Sequence, residues 1–218
     1  QVRYTDTFAK KYTYSIALES PNTDFATATN KVNLSDVPDL TGKLVYKDSF
    51  GQLAVRGLAR ELGAGDSSTG AQDHSFGWGT GVSGKILVGA KDNFMFQGVY
   101  GNGVGHYLFD VANSLNGNTY LNNEIDPQVA YGGYAGFQHY WSKDWRSNIL
   151  VGYTGIDNDV AKTGANVNKE IASGHLNLIW SPAASYRVGV EYMHGYRELE
   201  SGVDGDLDRI QTSFMYTF

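Results

Sequence analysis

Aromatic or aliphatic residues alternate with polar ones through most of this chain. The segment 207–218 shows the pattern: Ile210, Phe214, Tyr216 and Phe218 share one phase, and Arg209, Gln211 and Ser213 the other. A period of two places the two sets on opposite faces of a β-strand. Read this way, with turn residues as boundaries, the sequence predicts eleven strands, at 1–8, 11–20, 40–49, 51–63, 74–90, 92–101, 127–141, 144–155, 170–181, 185–197 and 207–218. The connections alternate in length. Short ones fall at Ala9-Lys10, at 49–51, at Lys91-Asp92, at 142–144 and at 181–184, and long polar ones at 21–39, 64–73, 102–126, 156–169 and 198–206. Short turns at one end and long loops at the other predict an all-β fold, an antiparallel transmembrane β-barrel of the outer-membrane kind.

The apolar phase is a candidate lipid face. It carries Tyr12, Tyr14, Ile16 and Leu18 on one strand, Phe76, Trp78, Val82, Ile86 and Val88 on another, and Trp145, Ile149, Val151 and Tyr153 on a third. Aromatics gather beside the short turns (Phe8, Phe50, Phe94, Trp141, Trp145, Trp180, Tyr186), with a second set nearer the loops (Trp78, Tyr100, Tyr131, Tyr192). Amphipathic rings at two membrane–water interfaces give two such belts.

Composition narrows the classes. No stretch approaches 18 consecutive apolar residues, so the sequence holds no transmembrane helix. A barrel strand alternates, so its mean hydropathy is unremarkable. With no cysteine in the chain, disulfides, thiol nucleophiles and cysteine metal sites are excluded. The 218 residues fit one domain, 1–218. Strand parity adds an expectation. The first and last strands run in the same direction, so an odd number of strands does not close an antiparallel barrel: either a strand is hidden in a loop or the chain is the C-terminal part of a longer barrel, and the second is expected.

The formal net charge is −6, but its placement matters more than its sum. Lys43, Lys47, Arg56, Arg60, Lys85, Arg146, Arg187 and Arg209 take the phase opposite the apolar residues, as do Arg3 and Lys11. Only Glu19 and Glu191 stand out as acids of that phase. Asp24, Asp36, Asp39, Asp66, Asp73, Asp110, Glu124, Asp126, Asp157, Asp159, Glu198, Glu200, Asp204 and Asp206 are assigned to the loops. A chain acidic overall is therefore predicted to have a basic lumen, whose low-dielectric walls focus the field and raise the local anion concentration.

Reactive constellations are sparse. Gly101-Asn102-Gly103-Val104-Gly105 follows a strand, but no helical pattern succeeds it, so it reads as a turn and not as a phosphate cradle. His74, His106, His139, His175 and His194 lie on separate segments without metal-ligand spacing, and His139 is expected to face lipid. Ser173 and His175 share an inward face, the one pairing that suggests a barrel hydrolase, with no orienting third group in view. No metal and no cofactor is expected.

Three segments carry a family resemblance: Gln1-Val2-Arg3-Tyr4-Thr5, the strand Tyr12-Thr13-Tyr14-Ser15-Ile16-Ala17-Leu18-Glu19, and Tyr100-Gly101-Asn102-Gly103-Val104-Gly105-His106-Tyr107-Leu108. Together they resemble the DcaP-like trimeric porins of Gram-negative outer membranes. The terminal Phe218 is shared with outer-membrane proteins generally. The resemblance implies a sixteen-stranded barrel with an N-terminal coiled-coil segment, a homotrimer in the outer membrane, and uptake of small anionic solutes such as aromatic dicarboxylates. The expected function is passive diffusion of small hydrophilic anions. Expected partners are outer-membrane lipid, lipopolysaccharide, anionic solutes and further copies of the chain, with no nucleic acid. The alternatives are an adhesive or structural barrel with acidic binding loops, or a hydrolase.

Overall fold

The computed structural model describes residues 1–21, 31–108, 118–121 and 124–217; Asp24, Asp110, Phe218 and the side chain of His106 lie outside the described residues. The elements in chain order are β1 (Val2–Phe8), β2 (Tyr12–Glu19), β3 (Lys31–Asn33), β4 (Asp39–Asp48), β5 (Gly51–Asp66), β6 (Gln72–Val88), β7 (Asp92–Asn102), β8 (Asn118–Leu121), β9 (Glu124–Pro127), β10 (Val129–Tyr140), β11 (Trp145–Asp157), α1 (Val160–Thr163), β12 (Asn168–Ala183), β13 (Tyr186–Leu199) and β14 (Asp204–Tyr216). A 3-10 turn at Gly105–Tyr107 follows β7.

The wall is one antiparallel sheet in the order β1-β2-β4-β5-β6-β7-β10-β11-β12-β13-β14, and these are the eleven strands the alternation predicts. Among the described residues β1 and β14 each pair with one neighbour, so the sheet has two free edges. The odd strand count excludes antiparallel closure between them, because those two strands run in the same direction.

Two segments read as loops contain short strands. β3 pairs with the loop end of β5, and β8 pairs with β9 in a separate hairpin. Two other expected loops shrink, since β5 continues to Asp66 before β6 starts at Gln72, and β13 continues to Leu199 before β14 starts at Asp204. Outward positions there carry Glu61, His74, Glu198, Asp204 and Asp206, which break the apolar phase although pairing continues. Strands of 16 and 17 residues in β5 and β6 exceed the roughly 9–11 that cross a bilayer, so their loop ends project beyond it, where an outward side chain meets water.

Register fixes which side chains face outward. Tyr12 pairs with Tyr46, Tyr46 with Leu53, Trp78 with Ala59, Tyr131 with Tyr100 and Trp145 with Trp180. The rings make two runs. Beside the short turns Phe8 stacks on Tyr12 at 5.2 Å, Tyr12 meets Tyr46 at 4.9 Å, and Trp145 stacks on Trp180 at 5.9 Å. Nearer the loops, Trp78, Tyr100, Tyr131 and Tyr153 follow one another at 5.9, 6.5 and 6.1 Å between centroids. On β11 the two belts are marked by Trp145 and Tyr153. Their spacing is about 26 Å along the strand, or about 20 Å of height after tilt, close to the apolar band of such barrels. Between the belts Ile149 and Val151 are 53% and 54% exposed, as a lipid surround favours.

A lysine at Val151 is expected to destabilise the barrel by about 2–4 kcal/mol, whereas a lysine at inward-facing Asn148 costs much less. Urea unfolding in lipid vesicles measures both, and the opposite order would reverse the assignment of the faces.

Candidate permeation site

The lumen is built from the residues between the lipid-facing ones. Lys43 stands directly across from Arg56, Lys47 from Gln52, and Gln52 from Lys85, all with the inward phase of β4, β5 and β6. Arg146 pairs with Tyr140, Arg187 with Met215 and Arg209 with Met193, again inward. These cations form separate sets along the wall. Lys43 and Arg56 sit mid-wall, Lys47 and Lys85 lie near the short turns on the same flank, and Arg146 and Arg187 lie near them on the other flank. Among the described residues none of these six forms an ion pair with an acid. Arg209 donates from Nη2 to Gln211 Oε1 at 2.6 Å. Lys11, expected inward, reaches the short-turn rim instead and binds Asp48 Oδ2 at 2.6 Å.

A cavity of about 480 Å³ opens against the inner face of β1 to β7, with Arg3, Lys43, Arg56, Glu19, Gln97 and Tyr107 in its lining. Its one carboxylate is engaged, since Glu19 Oε1 accepts from Gln1 Nε2 at 2.8 Å and from Thr41 Oγ1 at 3.0 Å. Arg56 Nη1 is closed off from solvent and has no hydrogen-bond partner among the described residues. With Arg3, Lys43 and Arg56 against Glu19 alone, the charged side chains of the lining sum to a positive charge.

Arg60 departs from the expectation. It was placed on the pore surface with Arg56, but its side chain is wholly buried and pairs with Asp39, Nε to Oδ2 at 3.4 Å. Asp39, assigned to a loop, opens β4 in the inward phase and is equally buried. The chain after β7 turns into the lumen and closes over this pair. Arg60 Nη1 donates to Gly103 O at 3.0 Å, Tyr107 Oη donates to Asp39 Oδ2 at 2.7 Å, and the guanidinium carbon lies 5.5 Å from the Tyr107 ring centroid. Burial, then the Asp39 carboxylate beside it, pushes the Tyr107 hydroxyl well above its usual range, so it remains a donor. Val104 and Leu108 pack with Ala130 and Ile156 against Leu58 and Val99 of the inner wall. The hairpin β8–β9 continues the inward fold, with Ile125 against Leu62 and Ala64 and its N–H donated to Asp73 Oδ2 at 2.7 Å.

Glycine makes this seat possible. A Cβ at Gly79 would lie 2.7 Å from Val104 Cγ1, and one at Gly101 would lie 2.3 Å from Trp78 O. Gly103, at φ +71°, turns the chain inward. The glycine-rich segment is thus the turn by which the chain folds back onto the inner wall, and the three-residue 3-10 turn that follows is no helix N-terminus for phosphate. Asp39 was accessible to sequence reasoning, since it shares the odd phase of Thr41 and Lys43. Nothing in the alternation marks Tyr107.

The remaining candidates carry little chemistry. His139 faces outward as expected and binds Asp92 Oδ2 through Nδ1 at 2.6 Å. His175 Nδ1 lies 3.4 Å from Glu191 Oε1, which supplies a third group unseen in the sequence, but Ser173 makes no hydrogen bond to His175 among the described residues. No group of three or more His, Asp or Glu suited to a metal ion occurs among them either.

Asp39→Asn removes the charge of the carboxylate paired with the buried Arg60, and breaking pairs of this kind costs about 3–5 kcal/mol. The inward segment is expected to release while the wall, held by its own ladder, stays folded. Single-channel conductance and its noise should rise, and Tyr107→Phe should act in the same direction by about 1.5–3 kcal/mol. Unchanged conductance in both variants would show that the segment does not constrict the pore.

The sequence matches the family model of the DcaP outer membrane protein over residues 1–218. Among solved structures, the outer membrane channel DcaP of Acinetobacter baumannii superposes with a TM-score of 0.89 at 21% identity, covering 99% of this chain and 61% of that one. The likeness shows the fold, and this chain spans about three-fifths of that channel's length. No curated protein matches the sequence. The antiparallel wall, the paired aromatic belts and the family match across its whole length agree: the chain belongs to the DcaP outer membrane protein family.

Proposed function

We propose that the protein is a passive diffusion channel that prefers small hydrophilic anions, with no chemical step and no cofactor. The observation that carries this reading is the cavity on the inner wall. There Lys43 and Arg56 stand side by side without an acidic partner among the described residues, and the one nearby carboxylate, Glu19, is already bonded to neutral groups. Two like charges opposite each other on a sheet repel, and a permeating anion relieves that repulsion. The planar fork of Arg56 suits a carboxylate, and adjacent Lys43 suits a second charged group, so dicarboxylates are the solute class we favour. The exposed aromatic and aliphatic belts support outer-membrane lipid as the surrounding partner. Lipopolysaccharide at the acidic loop ends and a homotrimeric assembly complete the proposal.

Lys43→Ser with Arg56→Ser should lower the chloride-over-potassium permeability ratio, read as reversal potential under a salt gradient, with folding nearly unchanged. The difference should shrink at high salt, where the screening length falls to about 3 Å at 1 M. Cation preference in the unmodified channel would overturn the proposal, because net charge and not placement would then govern selectivity.

A further inference from the structure

On the flank away from Lys43 and Arg56, one inward-facing residue from each of five strands falls on a single rung. Asn93 of β7 pairs with Gln138 of β10, Gln138 with Asn148 of β11, Asn148 with Asn177 of β12, and Asn177 with Glu191 of β13. Their side chains join hand to hand across the sheet. Asn93 Nδ2 donates to Gln138 Oε1 at 3.0 Å and Gln138 Nε2 to Asn148 Oδ1 at 2.9 Å. Asn148 Nδ2 then donates to Asn177 Oδ1 at 2.7 Å and Asn177 Nδ2 to Glu191 Oε2 at 3.1 Å.

The direction of this row follows from chemistry. An ionised carboxylate only accepts, so Asn177 must offer its NH₂ to Glu191 and its oxygen to Asn148. The same choice passes back through Asn148 and Gln138 to Asn93, whose Oδ1 is left buried without a partner. Each of the three middle amides, Gln138, Asn148 and Asn177, spends one N–H and its oxygen on its neighbours. Asn148 and Asn177 are half-buried and inward-facing, and each keeps a second N–H for the lumen. Because the row holds the amides in place, little side-chain freedom remains to be lost when a solute bonds to them.

We propose that this row is a binding strip for uncharged polar groups, hydroxyls and amides, on permeating solutes. The channel then selects on two chemistries, charge on the Lys43 and Arg56 flank and hydrogen bonding on this one. The inference rests on the channel reading above but not on anion preference.

The test uses the protein with Asn148 and Asn177 both replaced by Leu, a change that keeps the side-chain heavy-atom count and branch point while removing every polar atom. Proteoliposome swelling with a pentose reports the neutral polyol, swelling with a size-matched neutral ether reports a solute without donors, and reversal potential in KCl reports charge selection. Pentose flux is expected to fall about fivefold, the equivalent of one neutral hydrogen bond of roughly 1 kcal/mol. Ether flux and reversal potential are expected to hold. Asn148→Leu alone, which interrupts the row at its middle, should give a smaller loss of the same kind and covers the case in which the double variant fails to fold. Unchanged pentose flux, or equal losses of pentose and ether, would overturn the strip, the second by showing a mere narrowing. Absence of any conductance in the unmodified protein would instead overturn the channel reading.

Discussion

The structure depends on backbone hydrogen bonding where water is missing. Inside a bilayer each unpaired N–H or C=O costs several kcal/mol, so the chain crosses only as strands that satisfy one another. Antiparallel pairing then fixes the register, and register fixes the face of every side chain. A slip of one residue on β4 and β5 would send Lys43 and Arg56 into lipid and bring Leu44 and Val55 into the lumen. The hydrophobic residues of the outer face and the charges of the inner one are therefore two consequences of a single constraint.

That constraint leaves the interior free for other uses. Few apolar residues are buried, and several of those that are lie where the chain after β7 folds back onto the inner wall. A segment in a watery lumen gains little from lipid and needs its own attachment. The buried Arg60–Asp39 pair, capped by Tyr107, provides it, and the glycines on β6 and β7 leave room for it. Arg56, four residues before Arg60 on the same face of β5, is spared that role and faces the cavity. One strand thus carries a cation buried in an ion pair and a cation that lines the cavity.

The eleven wall strands were legible because lipid demands an apolar residue at every second position between the belts. The pattern fails where that demand stops. Beyond the upper belt, Glu198 and Asp204 sit outward on paired strands and look like loop acids, although the ladder continues beneath them. The short strands β3, β8 and β9 have no lipid face to impose a pattern. Arg60 has the same phase as Arg56, and nothing in the phase tells that Tyr107, 47 residues later, will cover it. The row from Asn93 to Glu191 was equally hidden, since its residues are ordinary polar ones until register lines them up. Face is a local property of the sequence, whereas contact across the lumen is not.

The most direct measurement is a single-cysteine scan, which the absence of native cysteine leaves free of background. Cysteines placed in turn at Lys43, Leu44, Lys47, Gln52, Leu53, Val55 and Arg56 are treated, in intact outer membrane, with a small charged thiol reagent. The account predicts labelling at 43, 47, 52 and 56, protection at 44, 53 and 55, and faster reaction at 43 and 56 with an anionic reagent than with a cationic one. Labelling in the opposite phase, or a cationic reagent reacting faster at 43 and 56, would contradict it.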